Sequence, residues 1–277
     1  MGKITRTWSL ISECWQVLKQ DKSLLVFPLI SGICCLLLLA SFAIPIFATG
    51  AWEPPGHDAT TQRQVVYYGT LFAFYVCNYF IVVFFNAAIV ACAAVRLGGG
   101  NPTLADGLRA AASRLPVIAG WALVSGTVGL VLRIIEDRSE KVGQIVAGLL
   151  GMGWTIVSFL VVPILMVENK GPVEALRDST ALLKKTWGEQ LLSNFSFGMI
   201  FFLLAIPAFG VIFLGLFAGS KVILITCAVS AVVYLIVLAL VQSALQAIFQ
   251  TALYLYARDG HVPEGFHAEV LENALRR

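Results

Sequence analysis

The segment ENKGPVEALRDSTALLKKTWGEQ, Glu168–Gln190, is the longest polar interval between two hydrophobic runs. Its Gly171-Pro172 pair is typical of a helix start, because proline at the first helical position lacks an N–H that would have no intrahelical partner. Apolar residues then recur along one predicted stripe, with charged residues opposite: Val173, Leu176, Thr180, Leu183 and Trp187. We expect this amphipathic helix, placed between two membrane-length runs, to lie flat at the membrane surface.

The composition is typical of a membrane protein. Of 277 residues, 58% are hydrophobic and 13% are charged, whereas a soluble domain carries about 25% charged residues. A helix needs about 20 mostly apolar residues to cross a bilayer. Six runs meet that length: Leu24–Phe47, Tyr67–Val95, Leu115–Ile135, Val142–Val167, Leu191–Phe217 and Val222–Tyr256. The sequence therefore predicts an all-α polytopic membrane protein, a single transmembrane domain (residues 1–277) with six transmembrane helices.

The six spans group into three pseudo-repeated units, each an amphipathic interfacial helix followed by a pair of spans, at about 5–96, 101–168 and 171–258. The three amphipathic helices are expected to begin near Trp8, Pro102 and Pro172. Asn101 is the predicted cap of the second, with Pro102 at its first helical position. A tail, 259–277, is expected to add a short helix.

Lysine and arginine are distributed unevenly between the two sides of the predicted membrane. With the amino terminus inside, 14 of the 19 basic residues fall on the inner side, and such a bias marks the cytoplasmic side. Both termini and all three amphipathic helices are therefore predicted to be cytoplasmic. The inner surface is only mildly basic, which predicts a weak attraction for anionic lipids and no nucleic-acid partner.

Five carboxamides form the most informative predicted intramembrane feature: Gln242, Gln246, Gln250, Asn78 and Asn86. The glutamines of span six are four residues apart and the asparagines of span two are eight apart, so each set shares one helical face. In hydrocarbon their donors and acceptors would be unpaired, so they must face protein or water. Two interpretations stay open: hydrogen-bonded contacts between helices, or a polar groove for a headgroup or small solute.

A second set of residues is predicted to contact lipid headgroups: Trp8, Trp15, Trp187, Arg96 and Asn101. Tryptophan suits the headgroup level because its apolar ring carries one N–H donor. In the first helix, Trp8 and Trp15 share a predicted apolar stripe with Ile11 and Leu18. Arg96 adjoins Gly98–Gly100, and a glycine run before a helix can cradle a phosphate. A flexible tether explains the same glycines.

Three prolines lie inside apolar runs: Pro45, Pro163 and Pro207. Each is expected to kink or interrupt its helix, because proline removes a backbone donor and clashes with the preceding turn. Pro163 and Pro207 are interpreted either as ordinary packing features or as hinges beside a broken-helix binding site.

Enzyme signatures are absent from the sequence, which has no H-E-x-x-H, G-x-S-x-G or Walker pattern. No catalytic residue, metal ligand or cofactor is therefore predicted, and the chain is not expected to be an enzyme. The six cysteines show no zinc-ligand spacing and are expected to be apolar fillers.

The segments VVPILMVENKGPVEALRDSTALLKKTWGEQ (161–190) and WQVLKQDKSLLVFP (15–28) resemble a group of bacterial six-span membrane proteins of uncharacterised function. The resemblance covers nearly the whole chain and implies a location in the bacterial cytoplasmic (inner) membrane. More distantly, the repeated pattern is similar to the membrane domain fused to some glycerophosphodiester phosphodiesterases. The sequence lacks the catalytic barrel of those proteins, so the resemblance does not imply their activity.

The missing enzyme signatures, together with a repeated membrane-surface element, favour a non-enzymatic scaffold or accessory subunit. Its expected partners are membrane lipids, with a protein partner or a second copy of the chain as further candidates. The alternative is a transporter or lipid-translocating protein that uses the polar face of span six.

Overall fold

The computed structural model describes residues 3–49, 60–138, 142–187, 196–217, 219–260 and 262–267. This part of the chain is helical, without a β-strand. A short 3-10 helix, Lys22–Leu25, precedes the second α-helix. The α-helices in chain order are α1 (Lys3–Gln20), α2 (Val26–Thr49), α3 (Thr61–Leu97), α4 (Leu104–Ser113), α5 (Leu115–Arg138), α6 (Val142–Val157), α7 (Val161–Glu168), α8 (Pro172–Trp187), α9 (Ser196–Phe217) and α10 (Lys221–Asp259).

Six helical segments in the described residues are long and apolar enough to cross a membrane, and each overlaps one predicted run. They are Lys22–Ile44, Thr61–Leu97, Leu115–Asp137, Gly143–Glu168, Gly198–Phe217 and Lys221–Asp259. The prediction of an all-helical architecture with six membrane-length segments is confirmed. The three amphipathic helices α1, α4 and α8 each precede a pair of these segments.

Two of the spans are much longer than a bilayer requires. α3 has 37 residues and α10 has 39, which corresponds to about 56 and 58 Å at 1.5 Å per residue, against a hydrocarbon core of about 30 Å. The last part of α10, Ala244–Tyr254, is mostly buried, whereas its first half is mostly exposed. α10 packs against α1 and the 3-10 helix, so the extra length is used in contacts within the protein.

The chain forms two compact units that differ from the predicted repeats. The first consists of Met1–Pro28, Ala93–Asn101 and Leu182–Arg277, and the second of Leu29–Cys92 and Pro102–Ala181. α2, α3 and α8 therefore each contribute to both units. The division reflects packing alone, and the three-fold repeat stays a prediction.

The fourth span is broken into α6 and α7 by a turn at residues 158–160. Pro163 is the third residue of α7, where its ring nitrogen cannot donate to the preceding turn. The interruption expected from Pro163 is thus confirmed. α9, in contrast, continues through Pro207 without a break, and α2 continues through Pro45.

The start of α4 differs from the prediction. Its cap is Thr103, not Asn101, and the helix begins at Leu104 rather than Pro102. The Thr103 hydroxyl accepts a hydrogen bond from the Asp106 N–H (3.3 Å), and the Asp106 carboxylate accepts one from the Thr103 N–H (3.0 Å). This reciprocal capping box satisfies two backbone donors. The Thr103 hydroxyl also donates to the Asp106 carboxylate (2.6 Å), and this bond, together with the one from the Thr103 N–H, lowers the pKa of Asp106.

Candidate functional site

The three glutamines of the predicted polar face lie four residues apart along the continuous helix α10. Gln250 is buried, and Gln242 and Gln246 are half-buried. All three belong to the first unit, whereas the half-buried Asn78 and Asn86 lie on the part of α3 that belongs to the second. Within the first unit, and among the described residues, the structure records no hydrogen bond for the three glutamine side chains. Hydrogen-bonded contacts between helices are therefore not seen for them inside that unit.

Arg96 donates hydrogen bonds to uncharged oxygen atoms, two of which belong to the joint between α3 and α4, residues 98–103. Its Nη2 donates to Oε1 of Gln20 at the end of α1 (3.2 Å). Its Nη1 donates to the carbonyl of Gly100 (3.3 Å) and to the side-chain oxygen of Asn101. The predicted headgroup pair, Arg96 and Asn101, is thus brought together, but the guanidinium is used to tie α1 to the joint.

The glycine run of this joint is explained by its geometry. Gly99 has a φ of +83°, and a Cβ there would lie 3.0 Å from a carboxylate oxygen of Glu264. The Glu264 N–H in turn donates to the carbonyl of Leu97 (3.0 Å). A Cβ on Gly100 would lie 2.6 Å from the side chain of Val95. A carboxylate beside Gly99 would repel a phosphate. The glycines are therefore better explained by the close packing of this joint than by a phosphate-binding site.

α1 has two different faces. Its buried face is rotated from the predicted stripe and consists of Leu10, Glu13, Cys14, Val17 and Leu18. Trp8 (58% exposed) and Trp15 (37% exposed) lie outside that face, and the Lys19 ammonium lies 5.8 Å from the ring centre of Trp15. The tryptophans are thus not core residues of this helix, and Leu18 belongs to both the predicted stripe and the buried face. The predicted contact of the tryptophans with headgroups stays a prediction. The Trp187 side chain lies outside the described part of the chain.

Glu13 is a buried acid that the sequence analysis missed. The residue is 5% exposed, and its Oε1 accepts a hydrogen bond from the His267 N–H (3.4 Å) and lies 2.8 Å from the Nδ1 atom of that residue. Its Oε2 atom has no partner among the described residues. Burial raises the pKa of the neighbouring Cys14 thiol, and the Glu13 charge raises it further. The sequence did contain one signal for its burial. Glu13 lies three residues after Leu10 and four before Val17, which is the spacing of one helical face.

The buried stripe of α8 is also rotated from the predicted one. It consists of Ala175, Ser179 and Leu183, whereas Val173 is exposed. Small residues at spacings of four let a neighbouring helix approach closely. Leu183 belongs to both the predicted stripe and the buried face, whereas Leu176 and Thr180 are half-buried beside that face.

Ser179 completes the hydrogen bonding of the broken fourth span. Its hydroxyl donates to the carbonyl of Val157 (2.7 Å) and accepts from the N–H of Leu160 (3.2 Å). These two groups flank the turn between α6 and α7, where the regular helical hydrogen bonds are lost. A non-helical backbone inside a membrane domain requires such partners, since no water is present to replace them. Ser179 thereby links α8 to the break.

The corner between α7 and α8 is fixed by ion pairs and by close packing. The Lys170 Nζ lies 2.5 Å from a Glu168 oxygen and 2.6 Å from an Asp178 oxygen. The hydrogen bonds to Asp178 and Glu168 raise the pKa of Lys170. At the start of α8, the Pro172 ring lies only 2.9 Å from where a Cβ on Gly120 of α5 would be. α8 is therefore held in one orientation within the second unit.

The described residues contain no cluster of three or more histidine, cysteine or acidic side chains able to hold a metal ion. The six apolar spans define the class, a multi-pass helical membrane protein. Within that class, the chain belongs to a family of unknown function, DUF6159, whose family model matches residues 65–265. No curated protein and no solved structure matches the chain. The expectation of an uncharacterised family is confirmed, and the distant likeness to a phosphodiesterase-linked domain stays a prediction.

Proposed function

We propose that this protein is a non-enzymatic, lipid-interacting scaffold or accessory subunit of the bacterial inner membrane, with both termini and its amphipathic helices on the cytoplasmic side. The observation that carries the proposal is the two-sided character of α1. One face is buried in the protein, while Trp8 and Trp15 remain exposed. A helix held in this way presents both rings from a fixed position to lipid or to a partner.

The chemistry at the end of α1 favours anionic lipid headgroups. Trp15 is followed by Lys19, which lies over its ring, and Lys22 is also exposed. Indole rings favour the headgroup level, and each basic residue near an anionic surface contributes about 1 kcal/mol of attraction. An anionic phospholipid is therefore the proposed ligand of this surface.

The other two amphipathic helices support a role at the membrane surface. α4 exposes Leu108 and α8 exposes Val173, although the two helices have only 10 and 16 residues and are too short to be spans. Three separate helices with exposed apolar side chains provide several points of attachment, which suits a scaffold better than a single ligand site.

The test is native mass spectrometry of the full chain, extracted gently from membranes that contain phosphatidylglycerol and phosphatidylethanolamine. We expect the wild type to retain anionic phospholipid and the Trp8→Ser/Trp15→Ser double variant to lose most of it. Phe217→Ser is the control, because Phe217 is a highly exposed aromatic residue at the end of α9. Equal lipid retention in the double variant and the wild type would refute the role of α1.

The alternative function, transport along a polar groove, is favoured by one observation. The amides of Gln242, Gln246 and Gln250 share a face of α10 and have no recorded hydrogen bond within their own unit, among the described residues. Replacing the three with leucine separates the two functions. Solute or lipid flux in liposomes that is lost in a stable triple variant would support transport, whereas lost stability without any wild-type flux would support the scaffold.

A further inference from the structure

A cavity of about 330 Å³ lies between α3, α5 and α6 in the second unit. Its polar lining residues are Tyr75, Arg133, Glu136 and Gln144, and Gly129 and Gly148 also line it. It is found where α5 ends and α6 begins, away from the residues at which α4 leads into α5. The volume falls at the lower end of the range for small-molecule sites, about 300–1,000 Å³.

Glycines on α5 and α6 shape the space around the cavity. A Cβ on Gly126 would lie 2.6 Å from the side chain of Val76, so the two helices are in close contact there. One turn later, a Cβ on Gly129 would lie 3.4 Å from Tyr79 and 3.7 Å from Tyr75. On the facing helix, a Cβ on Gly148 would meet nothing within 4 Å. The open space at Gly148 thus leaves room for a ligand, whereas Gly129 lets the two tyrosines pack against α5.

Among the described residues, the charged side chains beside the cavity are one guanidinium and two carboxylates, so their net charge is negative. The Arg133 Nη1 lies 3.2 Å from Glu136 Oε2, and its Nη2 lies 3.2 Å from Asp137 Oδ1. One guanidinium is therefore shared by two carboxylates, and its charge is already compensated. The Glu136 carboxylate is also partly exposed, so it remains accessible to a further donor.

We propose that this cavity binds a small substituted ammonium group. The Glu136 carboxylate supplies the opposite charge, the Tyr75 ring supplies an aromatic face of the kind that attracts organic cations, and the Gln144 amide oxygen supplies a further acceptor. The group belongs either to a soluble amine or to the headgroup of an amine-bearing phospholipid, since both present the same ammonium chemistry. This site is separate from the proposed lipid surface of α1.

The test uses the purified full-length protein and two kinds of probe. Choline and ethanolamine are titrated by calorimetry in detergent solution. In parallel, the protein in nanodiscs with equal amounts of phosphatidylethanolamine, phosphatidylcholine and phosphatidylglycerol is examined by native mass spectrometry. All three lipids carry a phosphate, but only the first two carry an ammonium group. A preference for these two over phosphatidylglycerol therefore shows that the protein recognises the ammonium group.

The variants separate the cavity from general effects on the fold. Gly148→Leu fills the cavity, and Gly153→Leu is its control, because Gly153 is also on α6, also has open space at its Cβ position and does not line the cavity. Glu136→Gln removes the charge at nearly constant volume. For ethanolamine, whose ammonium can donate, losing a hydrogen bond to a charged group should weaken binding about tenfold or more. Choline has no N–H, so its binding should weaken through the lost attraction to the carboxylate charge alone.

The expected result is ammonium binding by the wild type and Gly153→Leu, loss of binding in Gly148→Leu, and weakened binding in Glu136→Gln. Binding of the soluble amines identifies a solute site, and selective retention of ammonium lipids alone identifies a headgroup site. The proposal is overturned if the wild type binds no amine and retains phosphatidylglycerol equally well. Unchanged binding in Gly148→Leu also overturns it.

Discussion

Ser179 of α8 and Glu13 of α1 are both buried polar side chains on amphipathic helices, yet their surroundings differ. The Ser179 hydroxyl donates one hydrogen bond and accepts another from the backbone around the break in the fourth span. The Glu13 carboxylate has partners for one oxygen, while the other has none among the described residues. A buried polar group stabilises a fold only when its donors and acceptors are paired. α8 therefore supports a transmembrane segment, whereas the acid of α1 is expected to cost stability.

Ser179→Ala should produce the larger loss of stability. The change leaves the Val157 carbonyl and the Leu160 N–H without their partner, and each unpaired buried group costs about 1–3 kcal/mol. We expect the free energy of unfolding to fall by about 2 kcal/mol or more. Thermal unfolding in detergent, followed by tryptophan fluorescence, measures the change, because Trp154 stacks on Trp121 close to the break (ring centres 5.4 Å apart).

Thr180→Ala is the matched control for Ser179→Ala. Among the described residues, the Thr180 hydroxyl donates to the carbonyl of Leu176 in its own helix (2.8 Å), so its loss should cost about 0.5 kcal/mol. Equal effects of the two substitutions would show that the fourth span does not depend on the hydrogen bonds of Ser179.

Glu13→Gln should either raise the free energy of unfolding or leave it unchanged. The amide oxygen can still accept the His267 N–H, while the buried negative charge is removed. Replacing a poorly compensated buried charge is often neutral or stabilising by about 1 kcal/mol or more. We expect the free energy of unfolding to be equal to or higher than that of the wild type.

Glu174→Gln provides the reference for the loss of an exposed helical carboxylate. Glu174 lies in the first turn of α8 and is exposed, and such a charge near a helix start contributes about 0.3–1 kcal/mol. If Glu13→Gln destabilised the protein more than Glu174→Gln, the buried carboxylate would be a net stabilising element and the contrast with Ser179 would fail.

Asp106 of α4 is an exposed acid, in contrast to the buried Glu13, and its effect on stability should be smaller. Its pKa is lowered in the fold by the bonds to Thr103, so its contribution is present above the ordinary pKa of about 3.9 and is lost as the pH falls through the lowered value. Amide-exchange protection in the first turn of α4 should therefore decrease in acid, beyond the normal change of exchange rate.

Two variants check the assignment to Asp106. Asp106→Asn should remove the acid-dependent step in protection, whereas Thr103→Ser should keep it, because serine can form the same capping box. A step that persists in Asp106→Asn would assign the titration to another group.

The spans were predictable from the sequence because hydropathy over 20 residues is a local property. The side chains that organise the packing were not. Ser179 and Ala175 are small and weakly hydrophobic, so the stripe through Leu176 and Thr180 gave the stronger periodic signal. Thr103-x-x-Asp106 and Asn101-Pro102 are both sequence signals for the start of a helix. Only the backbone conformation in the fold shows that Thr103 is the cap. Glu13 was hidden because an acid on an amphipathic helix is normally assigned to the solvent face.

The dependence of the fourth span on Ser179 has a consequence for biogenesis. Ser179 lies 19 residues after Leu160, so the ribosome delivers α6 and α7 before the hydroxyl that pairs the backbone groups at their break. We therefore expect the turn of the fourth span to reach its final hydrogen bonding only once α8 has docked. A nascent chain that ends before α8 lacks the hydroxyl that pairs these two backbone groups.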